Sequence, residues 1–401
     1  MEDIVNQKMR EFFQQKFNLA GDDSFFSLTS GASIPIDSDE FLAPEPTDGI
    51  SINAVQEYFS DLVNVLPAYY KDLSKVGADE LYSINEVYYQ ILAASKPKLS
   101  GQKNIELSDI ARLFTEKKDE ALKNYEIAKK GSDKNWDFTK DYPMTEADPE
   151  SWFKEDSVVW KPYTLDVNLH AESSIPGNSL PVFKLKMDDA SILQAEKKMT
   201  ENSGEKNKFF TPFTKAIFPG KTNVLQVTDH RTANKKPVTV IIRDHRQNSP
   251  TITPGYTRRI LTQLNTVAIK KDTTAKSINI SFDYLHVRIN RRRWLDSAFL
   301  NDPNWYYPGK SKGSFSLPPD QKGLEPSLFA IPMGIVMIKG LTITSDTWTE
   351  EDKKTFSQSI SFSNFNILNA NMDGNIIKAP GMQVWGWISR KLPVLPPQDS
   401  D

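Results

Sequence analysis

Apolar residues along the chain follow two periods, and the change between them falls near residue 157. Before that point the spacing is helical. Val5, Met9, Phe12 and Phe13 recur on one side of an otherwise polar opening segment. In SINAVQEYFSDLVNVLP, Val55, Tyr58, Phe59, Leu62, Val63 and Leu66 share a face, with Ser51 placed to cap the helix and Pro67 to stop it. LYSINEVYYQILAAS does the same with Leu81, Ile84, Val87, Tyr88, Ile91 and Leu92. The longest stripe, Ile110, Leu113, Phe114, Ala121, Leu122 and Tyr125, lies in SDIARLFTEKKDEALKNYEIAKKG, where Ser108 and Gly131 have the chemistry of the two caps. Each stripe must be covered, so these helices form a small bundle or a layer against the rest. Between the first two, GDDSFFSLTSGASIPIDSDEFLAPEPTDG is rich in Gly, Pro, Ser and Asp and is expected to be an ordered loop pinned by Phe25, Phe26, Leu28 and Phe41.

After residue 157 the period is two. VVWKPYTLDVNL, LPVFKLKM, NVLQV, PVTVII, SINISFDYLHVRIN, MGIVMIKGLTIT, SISFSNFNIL and MQVWGWI read as strands separated by turn-rich stretches. With few helices between them, the strands should pair mostly antiparallel, in a sandwich or an open barrel. The expected fold is α+β: a helical N-terminal region over 1–130, a linker over 131–156, and a large mostly antiparallel β-sandwich over 157–401 with a helical insertion near 188–202. Along 278–290 the apolar set moves from even positions (Ile278, Ile280, Phe282, Tyr284) to odd ones (Leu285, Val287, Ile289). A pleated strand with one buried face changes phase only through an extra residue, so a β-bulge is expected near Tyr284–Leu285. Trp385 and Trp387, two residues apart, are expected on one face of the last strand.

Composition narrows the function classes. Hydrophobic residues at 38% and charged residues at 25% fit a soluble, folded chain of 401 residues. The net charge of −3 gives no general attraction to nucleic acid, so no nucleic-acid partner is expected. That small number conceals an asymmetry: residues 1–150 carry 28 acids against 16 bases, and residues 151–401 carry 24 acids against 33 bases. The two parts either attract each other or offer opposite charge to different partners. Cysteine is absent, which excludes disulfides, thiolate metal sites and cysteine nucleophiles. The first residues show no signal-peptide pattern, so synthesis in the cytoplasm is expected, and any release would not use a signal peptide. The longest apolar run, LFAIPMGIVMI, has 11 residues where a membrane helix needs roughly 20, so no transmembrane segment is expected.

Familiar chemical motifs fail on spacing. PGKT (219–222) and PGKS (308–311) end like a phosphate loop, but Lys215 and Asn304 stand where its first glycine belongs. TDHR (228–231) and RDHR (243–246) repeat an Asp-His-Arg triplet. If their strands form a hairpin, the triplets lie roughly 20 Å apart, too far for one site. The four histidines, His170, His230, His245 and His286, form no metal-binding pattern; no metal, cofactor or catalytic residue is expected.

Two stretches remain. HVRINRRRWLD carries Arg288, Arg291, Arg292 and Arg293 at a strand's end. Guanidinium groups there are expected to bind exposed carbonyls or acids such as Asp296, the rival being a weak anion-binding pocket. NDPNWYYPGKSKGSFSLPPD (301–320) sets Trp305, Tyr306 and Tyr307 among turn residues beside Lys310 and Lys312, a composition suited to stacking on a ligand or anchoring a partner. The alternative is that these rings fold back to seal the end of the sandwich. The expected function is therefore a non-catalytic binding or structural protein using loops at the sandwich end. Its partner would be a carbohydrate, a membrane surface or a protein assembly, as in a toxin component or a tail-like particle subunit. The alternative is a carboxylate-based hydrolase with its site between the helical and β regions. A weaker third reading is a pore-former whose IPMGIVMIKGLTIT refolds into a membrane, although that run suits a strand buried on both faces.

Overall fold

The period-two segments become strands, and so does part of the first third. The computed structural model describes residues 4–19, 23–29, 33–36, 50–69, 73–98, 104–130, 143–168, 181–184, 223–228, 237–242, 269–270, 275, 277–291, 294–316, 328–356, 359–367 and 370–400. In chain order, the first elements are α1 (Ile4–Lys16), β1 (Ser24–Thr29), β2 (Ile34–Ile36), α2 (Ile50–Asn64), β3 (Val65–Tyr69), β4 (Lys75–Ser83), α3 (Ile84–Ala94), β5 (Lys96–Pro97) and α4 (Asn104–Lys129). Next come β6 (Glu146–Asp148), β7 (Lys161–Asn168), β8 (Pro181–Lys184), β9 (Asn223–Thr228), β10 (Pro237–Ile242), β11 (Ile269–Lys270) and β12 (Ser277–Asn290). The last are α5 (Ser297–Leu300), β13 (Trp305–Tyr306), β14 (Ala330–Thr344), α6 (Glu350–Phe356), β15 (Ser359–Phe362), β16 (Phe365–Asn366), β17 (Asn371–Asp373) and β18 (Ile376–Lys391). The helical insertion expected near 188–202 lies outside the described residues.

The main sheet runs β3-β4-β1-β18-β14-β12-β6, with β7 on the other stretch of β12, and β2 and β17 on β18. Its pairs are antiparallel apart from β1 with β4. Helices and a large mixed sheet together make the chain α+β. Within the loop expected over 21–49, residues 23–29 and 33–36 hold two strands instead, and Phe41 lies outside the described residues. Phe26 and Leu28 alternate into one core, and the backbone of β1 closes on β18 from Ser24↔Arg390 to Leu28↔Gly386. Gly and Ser content misled there, because a sheet partner over 350 residues away supplies the hydrogen bonds. β9 and β10 pair antiparallel, from Pro237↔Thr228 to Ile242↔Asn223, the arrangement the sequence reading considered for them.

Three cores surround the sheet. On one face, α1 lays Val5, Met9 and Phe13 over Phe26, Ile338 and Trp385, and Phe362 and Phe365 of a second, four-stranded sheet (β11-β8-β15-β16) enter the same cluster. On the opposite face, α2 brings Phe59, Leu62 and Val63 against Trp152, Val287, Met337 and Trp387. A third cluster joins α3 and α4 to Trp294, Phe299, Trp305, Phe315, Leu328, Ile331 and Leu395. The helices therefore form layers on the sheet. Burying each such Phe or Leu side chain contributes about 1.5–3 kcal/mol. Helix starts differ from the caps read in sequence. Ser51 and Ser108 lie inside α2 and α4, whereas Ser83 caps α3 in a reciprocal box, its hydroxyl accepting from Glu86 N–H and its own N–H donating to Glu86 Oε2 at 2.8 Å.

Two-sided burial corrects the phase argument. In β12, Ile278, Ile280, Phe282 and Tyr284 face the α1 core, while Leu285, Val287 and Ile289 face the α2 core. The strand passes from Tyr284 to Leu285 in regular register with Ile338 and Met337. No bulge is needed, because each face is covered along a different stretch. The irregularity comes earlier, between Ser281 and Asp283, opposite Gly340 of β14, which adopts φ +61°. A bulge at Trp385 matters more: Val384 pairs with Met337 and Gly386 with Val336, leaving Trp385 as the extra residue. Trp385 and Trp387 consequently enter opposite cores, contrary to the alternation read in sequence. The bulge also turns position 386 toward the α1 core, where a Cβ would land inside the Phe26 ring, so only glycine fits.

Candidate functional site

The arginine cluster ends β12. Arg288 pairs with Asp148 on neighbouring β6, both side chains exposed. Arg291 is buried and donates to the carbonyls of Val63 and Pro332 and, through Nε, to Asn64 Oδ1 at 2.8 Å. Val63 and Asn64 are the last residues of α2, so the guanidinium caps that helix where its free carbonyls gather negative charge. Burial pulls its pKa from the ordinary arginine value down to about 9, Tyr69 opposing, so it stays protonated at neutral pH. Arg291 binds backbone carbonyls as expected, but they are buried and not exposed, and among the described residues Asp296 is not one of its partners. Arg292 and Arg293 lie outside the described residues.

His286 sits half-buried under the end of α1, with Phe17 at 4.6 Å between ring centroids. Burial, then the charge of Arg288, and more weakly that of Lys161, hold its pKa down at about 4, with Asp148 opposing. The folded imidazole is therefore neutral, while the unfolded chain takes up a proton below about pH 6.5. Stability is full above that pH and falls by up to about 3 kcal/mol as pH drops toward 4. Denaturant melts at pH 7.5 and 4.5 should show a smaller pH difference for His286→Gln than for the native chain; equal differences would remove this assignment.

The 301–316 loop builds a rim. Asp296 caps α5 by accepting from the N–H groups of Ala298 (2.7 Å) and Phe299 (3.1 Å). Asp302, buried, accepts from Asn304 N–H and from Lys117 Nζ of α4 at 2.6 Å. This turn aims β13 at β5, with Trp305 opposite Pro97 and Tyr306 opposite Lys96. Trp305 is fully buried and stacks on Phe299 at 5.7 Å, in the third core. Tyr306 is half-exposed with Lys98 Nζ 5.4 Å from its ring centre, and Tyr307 meets Phe315 edge-on at 4.9 Å. The PGKS stretch is a turn, with Gly309 at φ +74°. Of the residues singled out in sequence, Tyr306, Tyr307, Lys310 and Lys312 thus share the rim, and Trp305 lies beneath it.

Sequence reasoning missed what the rim holds. Residues 392–400 run along it. Gly313 N–H donates to the Pro396 carbonyl (2.9 Å), Lys312 N–H to Asp399 Oδ1 (2.7 Å), Gly309 N–H to Ser400 Oγ (3.0 Å) and Lys98 Nζ to the Asp399 carbonyl (3.1 Å). Gln398 forms an isolated bridge with Tyr306 and donates to the Pro303 carbonyl at 3.0 Å. These contacts join positions up to 301 apart, and no local pattern signals them.

The TDHR and RDHR triplets, beyond Thr228, and the PGKT stretch lie outside the described residues. Among the described residues no three His, Asp or Glu side chains gather as metal ligands, and no helix is long and apolar enough to cross a membrane. No protein-family model, curated protein or solved structure matches the chain.

Proposed function

We propose that the chain is a non-catalytic binding or structural protein that engages a protein assembly through the 301–316 rim. A subunit of a tail-like particle or a toxin component would work in this way. One observation carries the reading: the rim already docks a peptide, residues 396–400, through main-chain donors and Lys98. Main-chain recognition of a short segment is a mode of protein–protein contact. The half-exposed Tyr306, and Lys310 and Lys312 through their main-chain groups, border that peptide on a framework fixed by Trp305 and Asp302, as binding loops on rigid scaffolds are. The β-sandwich belongs to the same proposal: Phe362 and Phe365 of the four-stranded sheet reach the core under the main sheet, as a second layer would.

The test is a full-length variant with Tyr306→Ala, Lys310→Glu and Lys312→Glu. Sedimentation reads self-association, and glycan arrays and anionic vesicles read the carbohydrate and membrane alternatives. The expected result is a more than tenfold loss of self-association, with a melting temperature within a few degrees of native. Unchanged self-association, or a loss confined to glycan or vesicle binding, would sink the assembly reading.

A further inference from the structure

We propose that residues 395–400 are an exchangeable peptide, and that the occupant the rim is built to take in an assembly is the same segment of a second copy of this chain. The inference rests on the assembly reading and names its contact.

The segment has the anatomy of a small docking peptide. Leu395 is its apolar anchor, fully buried in the third core, with its N–H on Ser316 Oγ at 2.8 Å and its carbonyl accepting from Phe315 N–H at 2.7 Å. Beyond Leu395 the attachment is mainly polar: the bonds of Pro396, Gln398 and Asp399 described above, and Ser400, whose N–H donates to the Lys310 carbonyl at 3.0 Å. Pro396 is buried, Pro397, Gln398 and Ser400 are half-buried, and Asp399 is exposed. A buried anchor ringed by polar contacts is how short peptides are usually read. Just before the anchor, Leu392 is still held, its N–H donating to the Phe329 carbonyl at 2.9 Å, whereas Pro393 and Val394 form no regular structure and Val394 is 49% exposed, which places a hinge at 393–394.

Opening the segment withdraws the Leu395 side chain from the third core, at about 1.5–3 kcal/mol. Water replaces each of the hydrogen bonds, so each contributes only about 0.5–1.5 kcal/mol net, and the segment opens locally before the sheet does. The open rim then offers the N–H groups of Gly309, Lys312 and Gly313, two carbonyls and Lys98 to any chain that brings a leucine, a proline carbonyl, a carboxylate and a hydroxyl in that order. A second copy carries that order by identity, and exchanging it reproduces every contact in trans. In dilute solution the tethered segment wins through an effective concentration near the millimolar range. In a crowded particle, neighbouring copies reach that concentration and exchange joins them.

The absence of cysteine makes the test direct, because every thiol is one that has been placed. Tyr306 and Gln398 are bridge partners, a spacing compatible with a disulfide. A double variant, Tyr306→Cys with Gln398→Cys, should oxidise within one chain and run as a monomer. The two single variants, mixed at about 0.5 mM so that trans encounters approach the tether's advantage, should form a disulfide-linked heterodimer. A mixture of Gln398→Cys with Val158→Cys, a 98% exposed position on another loop, measures random collision. Heterodimer forming at least tenfold faster than the collision pair supports exchange. A rate equal to the collision pair, or a double variant that does not close internally, overturns it. Failure here, with self-association still lost in the rim variant above, removes the exchanged peptide and leaves the assembly reading in place.

Discussion

Arg291→Met is expected to destabilise the protein by about 3–5 kcal/mol in urea or guanidinium melts. The guanidinium satisfies the carbonyls of Val63 and Pro332 and the side-chain oxygen of Asn64, all in the interior. Methionine fills similar space with no donor, so three acceptors lose their partner at once, each at about 1–3 kcal/mol. The end of α2 also loses the cation that answers its dipole. Asn64 in turn donates to Thr145 Oγ1 at 2.7 Å, and Ser60 Oγ accepts from Thr145 N–H at 2.7 Å, so the loss should spread to the connection that carries β6. Arg291→Lys keeps the charge but reaches fewer acceptors and should recover only part of the loss. A change below about 1 kcal/mol for Arg291→Met would mean that those acceptors find other partners.

Trp385→Ala should cost about as much, roughly 3–5 kcal/mol, through a different mechanism. Its ring is fully buried, with Phe13 at 5.6 Å, Phe365 at 5.8 Å and Phe26 at 5.9 Å between centroids. These three rings come from α1, from the second sheet and from β1. Removing the indole leaves a cavity where three layers meet, and the bulge that holds position 385 prevents a neighbour from turning in to fill it. Trp385→Phe should cost about half as much, because an aromatic ring still bridges the layers. Equal losses for the two variants would show that the backbone bulge, and not the ring, governs the site.

Much of the framework was legible in the sequence because it rests on local periods. β12 spans the stretch its alternation marked, α1 to α3 lie on most of the stripes of Val5 to Phe13, Val55 to Leu66 and Leu81 to Leu92, with Leu66 and Pro67 falling instead in β3 and Leu81 in β4, and β9 pairs with β10. The misreadings share one physical origin, that period two reports burial and not which face is buried. Once both faces of a sheet are covered, Tyr284 and Leu285 can be consecutive and both buried without any bulge, whereas Trp385 and Trp387 reach opposite cores only because the bulge at Trp385 resets the alternation, which no local pattern announces. The strand at Ser24–Thr29 escaped for the opposite reason: its partner is distant, and its Ser-rich surroundings resemble a loop. At the rim, the aromatic and lysine composition pointed to the right loop. It could not tell that Trp305 is held under by Phe299, or that Lys98 and Asp399 would arrive from far along the chain.

The pairing of β1 with β18 has a kinetic consequence. Ser24–Thr29 finds its antiparallel neighbour only when the stretch around Gly386–Arg390 exists, about 360 residues later. At ribosomal rates of roughly 5–20 residues per second, the early strand waits on the order of 20–70 s with Phe26 and Leu28 lacking their final cover. Contacts so remote in sequence make this a high-contact-order topology, so the main sheet should close late and slowly, and nascent chains should depend on a holding factor until the last long strand emerges.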